Sequence, residues 1–340
     1  MMETILRAEN LKTRFETFNG TVYAVNGVDF ELRRGETLAV VGESGSGKSV
    51  TMLSLLGLLP ASSAKVSGRA TLNITDPPVD LLSISRDKLN KIRGKHMSIV
   101  FQDALRSLNP VLTVGEQISE SLITHLGYSQ NQAHKRAVEL LEHVGIPQAD
   151  KRYSSYPHQF SGGMRQRAMI AISIACDPEI LIADEPTTAL DVTIQTQITE
   201  LTRRLQDELG MTVIWITHDL GVVAGIADRV MVMYAGMPIE IAPVDELYES
   251  PQHPYTEGLL GAIPEIGETR SKRLVSIGGT PPDLFEEPMH CQFAWRCPYV
   301  FDRCWKSIPP YVEVSEDHKS RCFLDMNTHQ PKKEGFHGGN

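Results

Sequence analysis

The chain has 340 residues, and its hydrophobic share of 41% and charged share of 22% are typical of globular proteins, which argues against a disordered, collagenous or coiled-coil chain. Its 33 basic and 42 acidic residues give a formal charge of −9, so the overall balance does not favour binding to DNA or anionic lipid. No apolar stretch reaches the ~20 residues that span a bilayer and no secretory signal is recognised, so we expect a protein that works in the cytosol.

Short β-branched apolar runs alternate with helical patterns over residues 1–240, which predicts an α/β fold with a mostly parallel sheet. An antiparallel hairpin comes first, with strands at Ile5–Phe15 and Thr21–Glu31. The buried strands are then predicted at Thr37–Val41, Met97–Phe101, Ile180–Ala183, Thr212–Thr217 and Arg229–Met233. Helical patterns with few strand signals indicate an inserted helical subdomain at about residues 105–165.

The composition changes after residue 240, where prolines and four of the five cysteines cluster. We therefore expect one α/β domain over residues 1–240, a small appended domain over 241–325, and a disordered polar tail over 326–340. In the cytosol the cysteines are expected to be thiols or metal ligands rather than disulfides.

A phosphate-binding loop is predicted where the strand Thr37–Val41 meets the next helix. The segment reads GESGSGKS and fits the pattern G-x-x-x-x-G-K-[ST]. Its glycines let backbone amides converge on phosphate oxygens, while Lys48 would reach the β- and γ-phosphates and the Ser49 hydroxyl would bind Mg²⁺. The residues expected to contact a nucleotide here are Gly42, Ser44, Gly45, Ser46, Gly47, Lys48 and Ser49.

Two carboxylates follow one another at the end of the predicted strand Ile180–Ala183. Asp184 suits a magnesium-binding role, and Glu185 would then face the γ-phosphate, where a carboxylate can polarise an attacking water. The alternative is a pair of surface acids that begin a turn, since Pro186 follows.

A second glycine cluster, Ser161-Gly162-Gly163, opens a later helix. Ser161 is a candidate N-cap, and the amides after it form another anion site. One nucleotide cannot easily use both helix starts of one chain. The pattern therefore favours a head-to-tail dimer, in which each nucleotide lies between the phosphate loop of one chain and the glycine cluster of the other.

Together these segments resemble the ATP-binding subunits of ABC transporters. The matching motifs occur in the family's order: Walker A at Gly42–Ser49, the Q-loop at Gln102, the signature at Phe160–Met164, Walker B at Ile180–Glu185, the D-loop at Ala189–Asp191 and the switch histidine at His218. The signature reads FSGGM where the family in general has LSGGQ. The resemblance implies a P-loop NTPase of the ABC class, with ATP and Mg²⁺ as ligands and ATP hydrolysis as the reaction.

The resemblance also assigns roles to single residues. Gln102 would bind Mg²⁺ together with Ser49 and Asp184, and would relay the state of the site to a membrane partner. His218 would contact the γ-phosphate; its alternative is a capping histidine after a strand. The residues that would bind the other chain's nucleotide are Ser161, Gly162 and Gly163, and Asp191 of the D-loop is also expected to contact ATP. Phe15 resembles the aromatic residue that stacks on adenine, and Tyr23 is the competing candidate.

Further segments resemble one branch, the ATPase subunits of dipeptide, oligopeptide and related nickel importers. They are Phe101–Pro110, Phe160–Ala171, Asp184–Gln195, Ser250–Leu260 and Ile277–Leu284. The stretch Ala262–Gly279 is more similar to the D-type subunit of such systems. This branch implies a peripheral subunit on the cytoplasmic face of the membrane. Its expected partners are two transmembrane permease subunits, a second ATP-binding subunit (a heterodimer rather than a homodimer) and, indirectly, an extracytoplasmic substrate-binding protein.

Four cysteines at a spacing of C-x5-C-x6-C-x17-C are enough to hold one metal centre. They are Cys291, Cys297, Cys304 and Cys322. The spacing matches neither the tight pair of structural zinc sites nor the commonest ferredoxin pattern. The family resemblance favours a [4Fe–4S] cluster, with Zn²⁺ and unligated thiols as alternatives. The fifth cysteine, Cys176, lies on an apolar helix and is predicted to be core.

An alternative function is a soluble ABC ATPase that acts on nucleic acid or ribosomes. Such proteins usually carry a long coiled-coil insertion or two ATPase units, and the sequence has neither. The acidic balance also counts against a nucleic-acid partner. Dipeptide, longer peptide and nickel stay open as the cargo.

Overall fold

The computed structural model of the chain describes residues 3–188, 190–263 and 277–332. Contacts divide the chain into two units. The first comprises Met1–Leu6, Leu32–Glu36 and Leu72–Ile216, and the second comprises Arg7–Glu31, Thr37–Thr71 and Thr217–Asn340. The chain thus passes from one unit to the other several times, so no single cut separates them.

The strands of the described residues are β1 (Thr4–Thr17), β2 (Gly20–Arg33), β3 (Thr37–Val41), β4 (Ala64–Leu72), β5 (Val79–Asp80), β6 (Met97–Val100), β7 (Ile180–Asp184), β8 (Thr212–Thr217), β9 (Arg229–Tyr234), β10 (Met237–Pro243), β11 (Val312–Glu313), β12 (Lys319–Ser320), β13 (Leu324–Asp325) and β14 (Gln330–Pro331). The predicted bounds of β3 and β8 are confirmed, and the other predicted strands differ from the observed ones by at most two residues at an end.

The helices of the described residues are α1 (Lys48–Leu55), α2 (Arg86–Ile92), α3 (Ala104–Ser107), α4 (Val114–Leu126), α5 (Gln130–His143), α6 (Ala149–Tyr153), α7 (Gly162–Ser173), α8 (Val192–Leu209), α9 (Leu220–Ile226), α10 (Val244–Glu249) and α11 (Pro254–Leu260). The range predicted to be a helical subdomain contains α3 to α6 and the start of α7. In the described part of the chain, no helix combines the length and hydrophobicity needed to cross a membrane.

In the first unit, β7 pairs in parallel with β6 on one side and with β8 on the other. Every residue of β7 and β8 is buried, as expected for parallel strands with both faces covered. Parallel strands end at the same edge of a sheet, which is where ligands bind in α/β folds. The residues after β6 and β7 therefore belong to a common edge, and this edge includes Gln102 and Glu185.

In the second unit, β3 pairs in parallel with β9, and β9 continues in antiparallel pairing to β10. Strand β10 also pairs with β12, and β12 pairs with β11. The hairpin of β1 and β2 belongs mainly to this unit, with β4 as the next neighbour of β1.

The predicted domain boundary at residue 240 falls inside β10, so it does not divide two units. Glu240 is fully buried in this strand, and its Oε1 atom lies 2.8 Å from Nε2 of the buried His318. The same oxygen accepts a hydrogen bond from the backbone amide of Gln252 at 2.5 Å. Residues far beyond the predicted boundary therefore complete the surroundings of β10.

Residues 277–332 contain little regular structure, namely a 3₁₀ turn at Asp302–Trp305 and the four short strands β11 to β14. Phe293, Cys304 and Phe323 are buried there. The hairpin of β13 and β14 lies partly in the range predicted as a disordered tail. The backbone amide of Lys332 continues the pairing by donating to the carbonyl of Phe323 at 2.7 Å, which explains why this part of the tail is ordered.

Candidate functional site

The predicted phosphate loop connects β3 to α1, and its backbone requires glycine at two places. Gly42 has a φ of 149°, and a Cβ atom there would lie 2.2 Å from the carbonyl oxygen of Met233. Gly47 is the N-cap of α1 with a φ of 96°, and its Cβ would lie 2.6 Å from the carbonyl oxygen of Ala24. A side chain at either position meets backbone atoms that cannot move away cheaply. The loop therefore has a shape that only glycine permits.

Lys48, the first residue of α1, folds back over the loop. Its Nζ atom donates to the carbonyl oxygens of Gly42, at 2.7 Å, and Glu43, at 3.0 Å. The Ser46 hydroxyl is buried and has no hydrogen-bond partner within the described residues. A helix N-terminus, an ammonium group and an orphaned hydroxyl next to one another fit the oxygens of a phosphate chain. The loop residues thus suit the nucleotide that the sequence predicts.

The two predicted carboxylates stand at the end of β7. Asp184 is 6% exposed, and Glu185 follows with a φ of 45°, which is unusual for a residue other than glycine. The Glu185 amide donates to the carbonyl of Ile216 at 3.0 Å. Its Oε2 atom accepts hydrogen bonds from Gln102 Nε2 and Thr188 Oγ1, both at 2.9 Å. These bonds hold the carboxylate in place. Glu185 does begin a turn, since the Thr188 amide donates to its carbonyl at 3.1 Å, but Asp184 is buried, so the alternative of two surface acids is not supported.

Ser161 caps α7 as predicted, because its Oγ accepts from the Met164 amide at 3.3 Å. Ser161 and Gly162 are exposed, so this helix start is open to a ligand. Gly162 and Gln102 also line a groove of about 450 Å³ in the first unit. Asp191 caps α8 by accepting from the Ile194 amide at 2.9 Å. Its predicted contact with a nucleotide stays a prediction, and Ala189 of the D-loop lies outside the described residues.

Three predicted residues belong to the second unit together with the phosphate loop. His218 comes directly after β8 and is exposed. Phe15 and Tyr23 are both half-buried on the hairpin strands β1 and β2. Tyr23 lines a cavity of about 360 Å³ that also has Lys12 and Lys65 in its wall. This leaves the choice of adenine-stacking residue, Phe15 or Tyr23, as a prediction.

The predicted site residues are thus divided between the units. Gln102, Asp184, Glu185, Asp191 and the cluster from Ser161 to Gly163 lie in the first unit, whereas the phosphate loop with Lys48 and Ser49, His218 and Phe15 lie in the second. Two contacts of these residues were not predicted from the sequence.

The Thr188 hydroxyl donates to the Glu185 carboxylate. The sequence did contain a signal for this contact, because a turn brings a hydroxyl close to a carboxylate three residues earlier. Arg296 holds Glu43 and has no local signal in the sequence.

The four C-terminal cysteines are free thiols and occupy one region of the second unit. Burial raises the pKa of Cys291 and of Cys322 to about 12, and that of Cys297 to about 11. Neighbouring cysteines raise these values further: Cys304 and Cys297 act on Cys291, and Cys291 and Cys297 act on Cys322. The thiols are therefore mutual neighbours in an environment that disfavours uncompensated thiolates.

These thiols do not converge as ligands of one ion. Across the described ranges, no three or more His, Cys, Asp or Glu side chains are placed to hold a single metal ion. Neither the predicted [4Fe–4S] cluster nor its zinc alternative is therefore supported by the arrangement of the described side chains. Cys176 is 7% exposed and burial raises its pKa to about 11, which agrees with its predicted place in the core. The Ala262–Gly279 segment that resembles the D-type subunit falls largely outside the described residues, since 264–276 are not described.

The fold matches solved ATP-binding cassettes. A dimeric structure of the post-hydrolysis state of the ATP-binding cassette MJ0796, bound to ADP and Pi, superposes with a TM-score of 0.62. It is 28% identical to this chain, and the match covers 70% of this chain and 98% of that chain. The class of protein is therefore a P-loop ATPase of the cassette type.

Sequence comparisons cover more of the chain. Residues 25–188 match the family model described as ABC transporter, and residues 239–304 match the model described as oligopeptide/dipeptide transporter, C-terminal region. The dipeptide transport ATP-binding protein DppD of Bacillus subtilis (strain 168) is 51% identical over 324 residues, 95% of each chain. The oligopeptide transport ATP-binding protein AppD of the same organism is 49% identical over 323 residues, 95% of this chain and 97% of that protein.

The chain belongs to the family of ABC transporter ATP-binding subunits, in the branch that carries the oligopeptide/dipeptide transporter C-terminal region. It is accordingly an ATPase of that family. The resemblance inferred from the motifs of the sequence is confirmed.

Proposed function

We propose that this chain is the ATP-hydrolysing subunit that energises a membrane importer of dipeptides or oligopeptides. The observation that carries the proposal is the match of residues 239–304 to the oligopeptide/dipeptide transporter region, together with relatives named for dipeptide and oligopeptide transport that span nearly the whole chain. The nickel and nucleic-acid alternatives have no comparable support. The chain works at the cytoplasmic face of the membrane as a peripheral subunit.

The reaction is the attack of water on the γ-phosphate of MgATP. A bond forms from the water oxygen to phosphorus, the bond to the bridging oxygen breaks, and ADP and inorganic phosphate leave. Glu185 is the group that polarises the water, and Gln102 and Thr188 hold its carboxylate in position. Lys48 and the amides at the start of α1 stabilise the charge that develops on the phosphate oxygens.

Magnesium suits the oxygen ligands that this chain offers. Ser49 and Asp184 would hold the ion together with Gln102, and the ion would neutralise charge on the phosphates. His218 is proposed to contact the γ-phosphate, and Phe15 to stack on adenine.

Two chains are needed for each pair of nucleotides. The exposed start of α7, with Ser161, Gly162 and Gly163, supports a head-to-tail dimer in which it meets the nucleotide of the other subunit together with Asp191. The related cassette MJ0796 is described as dimeric. We propose a heterodimer with a second ATP-binding subunit, bound to two transmembrane permease subunits and supplied by an extracytoplasmic substrate-binding protein. Nucleic acid is not a partner.

Uptake by native cells tests the proposal. We expect Glu185→Gln to abolish uptake of labelled dipeptides and oligopeptides and to leave Ni²⁺ uptake unchanged. Glu208→Gln, which removes an exposed carboxylate at the end of α8, is the matched control and should transport normally. Loss of Ni²⁺ uptake with peptide uptake intact would contradict the peptide assignment. Co-purification from native membranes should recover two permease subunits and a second ATP-binding subunit.

We also propose that the C-terminal extension, residues 241–325, carries a [4Fe–4S] cluster on Cys291, Cys297, Cys304 and Cys322. The support is chemical: four neighbouring free thiols occupy one region of the second unit, where burial disfavours uncompensated thiolates. A bound cluster would remove that cost, because its irons would compensate the thiolate charges. Its role is to organise this loop-rich region.

Anaerobic purification tests the cluster. We expect brown protein that contains iron and acid-labile sulfide, and a Cys322→Ser variant with less of both. Cys176→Ser is the matched control and should keep the wild-type content. Colourless protein with neither iron nor sulfide would contradict the assignment.

A further inference from the structure

The phosphate loop contains an acidic residue in a place where it should hinder the binding of an anion. Glu43 directly follows Gly42, and its carbonyl accepts a hydrogen bond from Lys48. A carboxylate next to the phosphates of ATP repels them unless its charge is neutralised. The surroundings of Glu43 therefore bear on how well the loop binds a nucleotide.

Arg296, 253 residues further along the chain, neutralises this carboxylate. Its Nη1 atom lies 2.6 Å from Glu43 Oε2 and its Nη2 atom 2.9 Å from Glu43 Oε1, which is a bidentate ion pair. The side chain of Arg296 is 3% exposed and that of Glu43 is 31% exposed. Bidentate pairs of this kind are strong and directional, because the guanidinium plane matches the two carboxylate oxygens.

The guanidinium is itself held in place. Its Nε atom donates to the carbonyl of Gly278 at 2.9 Å, and Nη1 lies 3.3 Å from the hydroxyl of Tyr234. The group also lies over the rings of Tyr234 and Phe293, at 5.7 and 6.0 Å from their centroids. Arg296 thus cannot follow Glu43 if the loop shifts, and it defines where the carboxylate must be.

A second contact fixes the backbone at the same residue. The amide of Glu43 donates to the hydroxyl of Tyr255 at 2.9 Å, and Tyr255 is fully buried. The rings of Tyr234, Tyr255 and Phe293 pack against one another at centroid distances of 4.7 to 5.4 Å. The turn that presents Arg296 is closed by its own amide, which donates to the Phe293 carbonyl at 2.9 Å. The contacts form one packed layer between the loop and the C-terminal residues.

We propose that Arg296 is a positioning residue of the phosphate loop, which neutralises Glu43 and holds the loop in its nucleotide-binding shape. This inference rests on the proposed ATP-binding function of the loop and adds to it a requirement for the C-terminal region. Removing Arg296 leaves a negative charge beside the phosphates and releases the loop, whereas removing the Glu43 charge as well takes away the repulsion. The effect of the first change should therefore be partly reversed by the second.

MgATP binding by the full-length chain, measured by fluorescence titration, tests this prediction. Arg296→Gln should weaken binding roughly tenfold, since a charge-assisted pair is lost and a repulsive charge is gained. Glu43→Gln alone should have a smaller effect. The double variant should bind MgATP more tightly than Arg296→Gln does. The proposal would be overturned if the MgATP affinity of the double variant fell by the product of the two single factors. It would also be overturned if Arg296→Gln bound MgATP as the wild type does.

Two controls separate this proposal from other outcomes. Arg303→Gln changes a cation of the same region that lies over the Phe323 ring, and it should bind MgATP normally. Lys48→Met should lose binding if the loop is the nucleotide site. If Lys48→Met binds normally, the proposed function fails; if it loses binding while Arg296→Gln does not, only the positioning role fails. Should Arg296→Gln not fold, Arg296→Lys with and without Glu43→Gln makes the same comparison.

Discussion

The phosphate loop and the carboxylate turn, which we define as residues 184–188, use their backbones in opposite ways. In the loop, Gly42 has a left-handed conformation and leaves no room for a Cβ atom. In the turn, Glu185 has a left-handed conformation although it carries a side chain, and its carboxylate is held by two side-chain donors. The loop thus requires glycine for its backbone shape, whereas the turn keeps a residue with a side chain and holds its carboxylate by hydrogen bonds.

This difference predicts where each region is sensitive. Changing Glu185 or Thr188 in the turn should alter the reaction more than nucleotide affinity, because these side chains are proposed to act on the attacking water and not to bind the nucleotide. A Cβ atom added to the loop should alter affinity, because it displaces the atoms that bind phosphate. A residue with a side chain, such as Glu185, keeps a left-handed backbone conformation only where the surrounding contacts hold it there.

The largest expected effect is on turnover and comes from the turn. Glu185→Gln should lower kcat for ATP hydrolysis at least ~10²-fold, the scale of losing a general base, with little change in MgATP affinity. Steady-state ATPase assays and nucleotide titration measure the two quantities separately. A variant that hydrolyses ATP at the wild-type rate would remove Glu185 from its assigned role.

The loop is tested by Gly42→Ala. Its Cβ would lie 2.2 Å from the Met233 carbonyl, and strain at such a position costs on the order of 1–3 kcal/mol, so MgATP affinity should fall about tenfold to a hundredfold. Gly35→Ala is the control, since Gly35 also has a positive φ of 78° but nothing within 4 Å of its Cβ. It should lose some stability in thermal unfolding and keep full affinity. Equal losses of MgATP affinity in both variants would contradict the explanation that the close approach of the Gly42 Cβ to Met233 causes the loss.

The contact of Tyr255 with the phosphate loop should also depend on pH, because His253 accepts a hydrogen bond from the Tyr255 amide. This buried residue caps α11 by accepting from the Tyr255 amide at 3.0 Å, and burial lowers its pKa to about 3. Because the unfolded chain keeps the ordinary pKa near 6.5, it binds more protons between these values, so stability is full above pH ~6.5 and falls as the pH decreases. We expect a loss of roughly 2 kcal/mol between pH 7 and pH 5.

Replacing the titrating group separates this effect from general acid sensitivity. Asparagine can still cap the helix, so His253→Asn should show a flatter pH dependence in chemical denaturation. Hydrogen exchange at pH 5 should increase in the phosphate loop, which contacts Tyr255, more than in the carboxylate turn. The same pH dependence in His253→Asn as in the wild type would contradict this explanation.

The smallest expected effect concerns a single donor to the turn. Thr188→Val removes a side-chain hydrogen bond to Glu185 and should lower kcat roughly fivefold, which corresponds to the ~1 kcal/mol that a typical hydrogen bond contributes. Thr196→Val, which removes a hydroxyl bonded to the Val192 carbonyl on α8, should leave kcat unchanged. A change in MgATP affinity without a change in kcat would show that the turn also shapes the binding surface.

The sequence predicted both regions because their signals are local. The glycines and Lys48 lie within eight residues, and the bounds of β3 and β8 follow from short runs of β-branched residues. The proximity of Gln102 and Glu185 follows from two parallel strands that end at one edge. Local patterning therefore identified the residues to which we assign the chemistry.

The sequence could not predict contacts that join distant residues without a repeated spacing. The pair of Arg296 and Glu43 is the main example. The boundary at residue 240 rested on the prolines and cysteines that cluster further along the chain, and it stays a prediction. Residue 240 itself lies in β10, which contains Pro238 and Pro243 although proline lacks an amide donor. The strand accommodates Pro238 next to an irregularity in its pairing with β9 and ends at Pro243.

The pairing of β10 with β12 limits where chains of this family can be joined to make hybrid proteins. A hybrid protein joined at residue 240 would divide β10, and it would need the incoming segment to supply a partner for Glu240 as well as the strand of β12. It would also replace Tyr255 and Arg296, which contact Glu43 of the phosphate loop. A working hybrid would therefore need an incoming segment that restores these contacts as well.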